Sequence, residues 1–509
     1  LVVMSQCCNT GIALGSTLST THNFYESHFM NTPNVISIMQ ALADKAAENP
    51  NRTAITCGDE SVTRAELESR TNRLARAYAE RGVSFGSFVT VALPNSVEFY
   101  EACIAAWKLG AIPQPVSYRL PNREREAIVE LADSALVVGA EQSAHPGRAT
   151  LPAHFDASAY DDSPLPDVTS PAMKAPTSGG STGRPKLIVA GDPGIVSVGA
   201  PGMGQRVDGV VCIPGPLYHN APFSFGAGSL FHGNHLVLLP QFDAEATLAA
   251  VDKHSADWIL FVPTMMSRIS RLPEDVKNKY DLSSLSTVWH MAAPCPPWLK
   301  EEWCNWLGGE KIMELYAGTE AQAVTIIRGD EWLAHRGSVG RCVTGEMKVL
   351  DSETYEELPR GTIGEIFMRN TRVTYKYLGA EARKSPDGWE SLGDIGKIDE
   401  EGYIYLTDRR GDMILSGGAN IYPAEVEVAL SEHPDVVSSA VIGLPDEDLG
   451  NRIHALVQVS KPINEDELRS FLSERLVRYK VPRTFEFTSD AVRDDAGKVR
   501  RSALRDERS

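Results

Sequence analysis

One stretch of the chain constrains the fold more than any other, because it has the pattern of strand, helix and strand with only short connections. The run from Phe88 to Leu93 is rich in β-forming residues, and Val97 to Leu109 follows with apolar residues at helical spacing. Ala111 to Val116 then returns to an extended pattern. Two strands joined by a crossover helix pair in parallel, so the sequence predicts a parallel sheet covered by helices.

The pattern of predicted secondary structure changes twice further along the chain. Similar α/β patterns, including a helix that begins at the capping box Thr63 to Glu66, continue to about residue 340. From about 341 to 405, short alternating runs separated by Gly, Pro and acidic turns predict a small β-rich subdomain. After residue 412 the chain predicts a compact α+β unit, with a helix that begins at Pro423 and another over Glu465 to Leu476.

We therefore predict an α/β protein in three parts. Residues 1–34 form a poorly ordered leader. Residues 35–408 form a large N-terminal domain of layered, mostly parallel sheets with helices and the small β subdomain. Residues 409–509 form a small α+β C-terminal domain, with the boundary at 408–412.

The composition excludes several classes of protein. The 509 residues carry 67 acidic and 49 basic side chains, a formal net charge of −18, whereas a nucleic-acid partner requires a basic face. The eight cysteines lack zinc-type spacing, so free thiols in a reducing compartment are expected. The sequence has no apolar run of about 18 residues and no signal-peptide pattern at its start. We expect a cytoplasmic protein without a membrane span or a nucleic-acid partner.

A loop rich in Gly, Ser and Thr, residues 177–186, is suited to bind phosphate. Its glycines allow the backbone to approach an anion closely, its hydroxyls donate hydrogen bonds, and Lys186 adds a positive charge. The spacing is not that of a Walker A loop, which disfavours a P-loop ATPase. Taken alone, the pattern fits a plain surface loop about as well as a phosphate site.

A second segment, Glu314 to Glu320, combines an aromatic residue with hard oxygen ligands. Thr319 and Glu320 offer a hydroxyl and a carboxylate to Mg²⁺, which needs only one or two protein ligands. Tyr316 offers an aromatic face to a nucleotide base. A Thr-Glu pair by itself is more often an ordinary helix start.

Together these segments resemble motifs of the adenylate-forming superfamily, which includes acyl-CoA synthetases, amino-acid adenylation domains and beetle luciferases. The resemblance covers the chain from about residue 35 to its end, and the acyl-CoA synthetase branch is the most similar. The matching segments occur in the family's order: the loop 178–186, the run Tyr316 to Glu320, the pairs Gly393-Asp394 and Asp408-Arg409, the segment 416–427, and Gly497-Lys498.

This resemblance implies a reaction in two steps with ATP, Mg²⁺ and coenzyme A. A carboxylate attacks the α-phosphate of MgATP and gives an acyl adenylate and pyrophosphate. The thiol of coenzyme A then attacks the acyl carbon and releases AMP. Transfer of this kind needs positioning and neutralisation of charge rather than a protein nucleophile.

The resemblance also implies roles for individual residues. The catalytic group comprises Lys498, which bridges the carboxylate and the α-phosphate, together with Lys186, Glu320 and the acyl-site residue His219. Thr319 and Glu320 bind the metal. The C-terminal domain acts as a mobile lid that turns about Gly411. The nucleotide and thiol contacts fall to Ser178, Gly179, Gly180, Ser181, Thr182, Gly183, Ala293, Tyr316, Thr319, Asp394, Arg409, Gly417 and Gly418.

The acyl substrate is predicted from the segment Ala221 to Gly228, which should line the acyl pocket and carries no charge. This composition favours an apolar or bulky acid, and the absence of Asp between His219 and Gly233 disfavours an amino acid. We expect a fatty acid or a bile-acid or steroid carboxylate. An aryl acid and a carrier protein as acceptor are the alternatives, and a homodimer is an open option. The acidic pair Asp494-Asp495 before Lys498 departs from the family pattern.

Overall fold

The computed structural model describes residues 34–179, 185–495 and 497–508, and the predicted leader up to residue 33 lies outside them. The strands up to residue 197 are β1 (Val35–Ser37), β2 (Thr53–Cys57), β3 (Glu60–Thr63), β4 (Phe88–Val91), β5 (Ile112–Pro115), β6 (Leu136–Val138), β7 (Ala149–Leu151), β8 (Thr177–Gly179), β9 (Pro185–Ala190) and β10 (Ile195–Ser197). The next group comprises β11 (Val210–Ile213), β12 (His235–Leu238), β13 (Trp258–Phe261), β14 (Thr287–Met291), β15 (Ile312–Tyr316), β16 (Val324–Arg328), β17 (Arg341–Thr344), β18 (Glu346–Leu350), β19 (Gly364–Arg369), β20 (Tyr375–Leu378), β21 (Arg383–Lys384), β22 (Glu390–Ile398) and β23 (Ile404–Arg409). The last strands are β24 (Ile414–Ser416), β25 (Ala419–Ile421), β26 (Val436–Asp446), β27 (Gly450–Val459) and β28 (Thr484–Thr488).

The α-helices of the described part of the chain mostly connect successive strands in sequence. They are α1 (Ile38–Glu48), α2 (Arg64–Glu80), α3 (Val97–Lys108), α4 (Asn122–Ala132), α5 (Asn220–Phe231), α6 (Ala244–His254), α7 (Pro263–Ser270), α8 (Glu274–Lys277), α9 (Pro297–Leu307), α10 (Gly329–Ala334), α11 (Pro423–Ser431), α12 (Glu465–Ser473) and α13 (Arg501–Asp506). None of the described helices is long and apolar enough to cross a membrane.

The N-terminal part is built on two sheets with parallel cores. The larger sheet has nine strands in the order β17-β16-β15-β14-β13-β11-β12-β2-β3, parallel from β2 to β15 and antiparallel at both edges. The smaller sheet, β5-β4-β6-β7, is parallel throughout. This part also contains two larger antiparallel sheets, β18-β19-β22-β21 with β23 and β20-β9-β8, and the antiparallel pair β1-β10 is separate from both. The predicted β-rich subdomain corresponds to the first of these two.

The helices α3 and α5 share the main hydrophobic core with strands of both parallel sheets. Trp107 of α3 is fully buried against Phe223 and Phe231 of α5, with ring centroids 6.0 and 5.6 Å apart. Burial of a large apolar side chain contributes about 1.5–3 kcal/mol, so these contacts fix α5 firmly in place. The position of α5 matters because its N-terminal end enters the candidate site.

The C-terminal part has a hydrophobic core of its own, formed by residues between Ile414 and Phe485. It lies against the N-terminal part through several polar contacts. Arg271 donates to the carbonyl of Val436 at 2.5 Å, and Trp298 Nε1 donates to Ser431 Oγ at 3.2 Å. The predicted α/β class, with a large N-terminal and a smaller C-terminal domain, is confirmed. The exact boundary at 408–412 stays a prediction.

Candidate active site

Lys186 and Glu320 lie close together although 134 residues separate them. Lys186 stands on β9, the middle strand of the sheet β20-β9-β8, and its Nζ lies 3.4 Å from Glu320 Oε1. Tyr377 of β20 joins the pair, since its hydroxyl accepts from Lys186 Nζ at 3.0 Å and donates to Glu320. Burial and the bond to Glu320 raise the pKa of Tyr377, which keeps this phenol protonated as a donor. The sequence analysis missed Tyr377.

The rest of the predicted phosphate loop can be placed only in part. Ser178 and Gly179 belong to β8, where Ser178 pairs with Lys186 across the sheet. Gly180, Ser181, Thr182 and Gly183 lie outside the described residues. The loop therefore connects the adjacent strands β8 and β9, and the pairing of Ser178 with Lys186 holds its two ends together.

A second group of interacting residues has Asp394 of β22 at its centre. Tyr316 donates its hydroxyl proton to Asp394 Oδ2 at 2.7 Å, and Arg409 Nε donates to Asp394 Oδ1 at 3.1 Å. The antiparallel register places Asp394 directly opposite Arg409 on β23. Asp394 is the largest influence on the pKa of Arg409, which it raises. Each carboxylate oxygen keeps a second lone pair, so Asp394 can still accept hydrogen bonds from a pair of ribose hydroxyls.

The segment that should frame the adenine lies next to Tyr316. The strands β14 and β15 are parallel neighbours. Ala293 lies two residues after the end of β14 and Tyr316 is the last residue of β15, so both lie at the carboxyl ends of adjacent strands. Ala292 turns the chain with a φ of 73°, an unusual value for a residue with a side chain. Ala293 is half-buried beyond this turn.

The turn after Tyr316 depends on Gly318. A Cβ atom at this position would lie 2.3 Å from Leu392 Cδ1 and 2.8 Å from Glu320 Oε2. The glycine therefore permits the close approach of the backbone to Leu392 and Glu320. Thr319 is half-buried in the same turn, next to the buried Glu320.

Lys498 reaches this site from the C-terminal domain. Gly497, at a φ of 76°, forms a turn in which Lys498 N donates to Asp494 Oδ1 at 2.8 Å. A Cβ atom on Gly497 would lie 3.2 Å from Thr264 of α7, so the turn lies against the N-terminal domain. Crowding by protein atoms and the charge of Arg409 lower the pKa of Lys498, whereas Asp494 and Glu320 oppose the shift.

Asp495 explains the acidic pair that the sequence analysis left without a role. Its carboxylate accepts from the Tyr218 hydroxyl and lies 3.2 Å from His219 Nε2. Burial acts to raise the pKa of Asp495, but the hydrogen bonds from His219 and Tyr218 outweigh it and leave the pKa lowered. His219, the N-cap residue of α5, thus lies at the start of the acyl-site helix and contacts the C-terminal domain.

Gly417 and Gly418 form the exposed tip of the β24-β25 hairpin, at φ values of 55° and 81°. In the part of the chain that the structure describes, no hydrogen bond or ion pair joins them to Lys186, Glu320 or Lys498. Among the described site residues, Lys186 contacts Glu320, and Tyr316 and Arg409 contact Asp394. His219 lies apart from these two groups, beside Asp495, whereas the charges of Glu320 and Arg409 both act on Lys498.

These groups fit the nucleotide and the metal that the sequence motifs predict. Three cations, Lys186, Arg409 and Lys498, surround a site that also holds the carboxylates of Glu320 and Asp394. Such a set suits a polyphosphate with a ribose at one end. No group of three or more His, Cys, Asp or Glu side chains that could hold a metal ion occurs among the described residues.

The fold and the site together define a nucleotide-dependent, adenylate-forming enzyme. The sequence model of the AMP-binding enzyme family matches residues 42–378, and that of the AMP-binding enzyme C-terminal domain matches 425–498. The chain therefore belongs to the AMP-binding enzyme family.

Individual relatives agree with this assignment. The chain is 31% identical to a methyl-dioxo-octahydroindenyl-propanoyl:CoA ligase from Rhodococcus jostii, over 92% of this chain and 98% of the relative. It is 31% identical to a feruloyl-CoA synthase from an Amycolatopsis species, over 91% and 97%. Its fold matches the o-succinylbenzoate CoA synthetase of Bacillus subtilis bound to its acyl-adenylate, with a TM-score of 0.76, 27% identity and coverage of 92% and 98%.

The predictions of the family, of the enzyme class and of the cofactors are confirmed. The chain is an acid–thiol ligase of the AMP-forming class, and AMP-binding CoA ligases use ATP, Mg²⁺ and coenzyme A. The membership extends over both domains, so it includes the lysine at the C-terminal end of the second match.

Proposed function

We propose that the protein is an ATP-dependent acyl-CoA ligase that activates a bulky, largely apolar carboxylic acid and transfers its acyl group to coenzyme A. One observation carries this proposal. Lys498 of the C-terminal domain lies within the electrostatic reach of both Glu320 and Arg409, which belong to the two residue groups of the N-terminal domain. This arrangement is suited to the first half-reaction, in which an acid and ATP give an acyl adenylate and pyrophosphate.

The residues around Glu320 neutralise and position the negatively charged phosphates. Lys186 neutralises the outer phosphates, and Tyr377 holds Lys186 and Glu320 in fixed orientation. Glu320 and Thr319 would supply oxygen ligands to Mg²⁺, which would offset the negative charge of the phosphates. Lys498 stabilises the negative charge that develops between the carboxylate and the α-phosphate.

The nucleoside end of the site has a different role. Asp394 accepts from the ribose hydroxyls, held in place by Arg409 and by the Tyr316 hydroxyl. Ala293 and Tyr316 would frame the adenine. In the second half-reaction the thiol sulfur bonds to the acyl carbon, and the bond to AMP breaks.

The acyl pocket supports a bulky acid without an ammonium group. Between His219 and Gly233 the chain has no carboxylate to pair with an α-ammonium. Pro222, Phe223 and Gly226 to Gly228 of the predicted acyl-site segment are buried in the core. The half-buried residues Ala221, Ser224 and Phe225 are therefore the ones available to an acyl group. The two relatives described above, a ring-containing propanoyl:CoA ligase and a feruloyl-CoA synthase, support ring-containing acids. The fatty-acid substrate, the cytoplasmic location and the homodimer stay predictions.

The test is pyrophosphate release with MgATP across a panel of fatty, aromatic and polycyclic acids, followed by mass analysis after addition of coenzyme A. We expect release with at least one bulky apolar acid and formation of the corresponding acyl-CoA. If no acid in the panel causes release, the proposal is wrong. If the adenylate reacts only with a phosphopantetheinylated carrier protein, the acceptor is a carrier and not coenzyme A.

A further inference from the structure

The helix α5 leaves only one face accessible near its N-terminal end. Pro222, Phe223 and all residues from Gly226 to Phe231 are buried. The half-buried positions are Asn220, Ala221, Ser224 and Phe225. Because residues four apart lie on the same side of a helix, these positions form a single face that continues from His219. A substrate that enters beside His219 would contact this face.

A lysine from another segment reaches the same face. Lys174 Nζ donates to Ser224 Oγ, and Ser224 Oγ in turn donates to the Asn220 carbonyl at 2.6 Å. The backbone around Lys174 is held on both sides, since Ala190 N donates to the Lys174 carbonyl at 2.9 Å and Trp107 Nε1 donates to the Met173 carbonyl at 2.8 Å. The ammonium group therefore has a fixed place beside α5.

The surroundings of Lys174 are unfavourable for a cation. Among the described residues, no carboxylate lies within 4 Å of its Nζ, and burial lowers the pKa of Lys174 to about 8, with Asp192 opposing the shift. The first turns of a helix carry partial positive charge, which repels a cation placed beside them. Lys174 is half-buried without a carboxylate at ion-pair distance, so an acceptor oxygen of a ligand would give its ammonium group a contact that the protein does not supply.

We propose that Lys174 and Ser224 form a polar subsite within the acyl site that selects acids with a second acceptor oxygen, either a keto, hydroxyl or carboxyl group, distant from the reacting carboxylate. This inference rests on the proposed ligase function and specifies its substrate class. Ser224 lies five residues after His219, which is about 7.5 Å along the helix axis. The second oxygen should therefore lie at the far end of a ring system and not next to the activated carboxylate.

The experiment uses the most active acid skeleton from the panel above. Its plain form is compared with analogues that carry one distal keto or one distal carboxyl group, and kcat/KM for pyrophosphate release is measured for each. The wild-type enzyme should prefer an oxygenated acid by about 10- to 100-fold, the effect of one hydrogen bond to a charged group. Preference for the carboxyl analogue alone would identify the ligand group as anionic, and preference for both would identify it as any acceptor oxygen.

Two variants separate recognition from structure. Lys174→Met, similar in length but uncharged, should reduce the preference to within about threefold, chiefly by raising KM for the oxygenated acid. Lys376→Met, at an exposed lysine on β20, is the matched control and should keep the wild-type preference. A wild-type ratio near one, or an equal loss for both acids in Lys174→Met, would overturn the inference while the ligase function still stands. Absence of release with every acid would instead contradict the proposed function.

Discussion

The contact between Asp495 and the acyl-site residues predicts a defect confined to one half-reaction. Asp495→Asn keeps the size of the side chain but removes the charge that accepts from Tyr218 and His219 across the two domains. A hydrogen bond to a charged group contributes about 1.5–3 kcal/mol when buried, whereas an exposed ion pair contributes only about 0.2–1 kcal/mol. The Asp495 side chain is 38% exposed, so the lower range applies to each contact. The two contacts together should stabilise this domain arrangement by about 0.4–2 kcal/mol, or roughly 2- to 30-fold in population.

The assay separates the two steps. ATP–pyrophosphate exchange measures adenylation, and the discharge of a supplied acyl adenylate by coenzyme A measures thioester formation. We expect adenylation to fall by about 2- to 30-fold in Asp495→Asn, while thioester formation keeps its rate or becomes faster. Asp490→Asn, the same change at an exposed position of the same segment, should affect neither step.

A double-mutant cycle tests the cause of this effect. Once Asp495 has lost its charge, Tyr218→Phe should cost little more, because both changes remove the same contact. Equal slowing of both half-reactions in Asp495→Asn, or effects of the two substitutions that simply multiply, would refute the reasoning.

Three further predictions concern the lysine, the hinge and the core. Lys498→Ala should nearly abolish adenylation, by about 100-fold or more, but preserve thioester formation from supplied adenylate; equal loss of both steps would exclude its role in the first step alone. Gly411 is exposed, and no atom lies within 4 Å of a Cβ added there, so Gly411→Pro should restrict backbone rotation without disturbing the packing. Because rotation of the C-terminal domain is needed between the two steps, thioester formation should be impaired more than adenylation. A defect in adenylation alone would contradict a hinge at Gly411. Lys300 Nζ lies 2.5 Å from the carboxylate of the buried Glu314. Lys300→Met removes this partner and should lower the free energy of unfolding in urea by about 3–5 kcal/mol. A loss below about 1 kcal/mol would show that Glu314 forms an ion pair or hydrogen bond with a different residue.

The elements with local signals could be predicted from the sequence. The capping box at Thr63 and Glu66 forms with both reciprocal hydrogen bonds, and the helix at Pro423 begins at its proline. These signals depend only on neighbouring residues. The helix that begins at Glu465 ends at Ser473, three residues before the predicted Leu476, although Leu476 N still donates to the Leu472 carbonyl at 2.8 Å. Helix ends are where such differences are expected.

The contacts that complete the site could not be predicted in this way. Tyr377 meets Glu320, and Lys174 meets Ser224, only because particular strands pair and particular helices pack between sheets. Asp495 lies 276 residues from His219 and belongs to another domain. No periodicity or turn signal in the sequence records a register between strands or a contact between domains, so motif resemblance identified Lys186, Glu320 and Lys498 but not the residues that hold them.

The C-terminal domain itself gives a physical reason for two orientations. Along β26, alternate residues face opposite sides of the sheet. Val441 packs with Ile414 and Ile421 of the glycine hairpin, whereas Ala440 and its neighbours on the other face pack with Val499 and Leu504, which follow Lys498. The Gly417-Gly418 tip and the Lys498 turn are thus attached to opposite faces of one rigid sheet. The domain cannot present both to the same site at once, so we expect a rotation about the residues near Gly411 between the half-reactions. Breaking the contacts of Asp495 with Tyr218 and His219 would then be part of that rotation's free-energy cost.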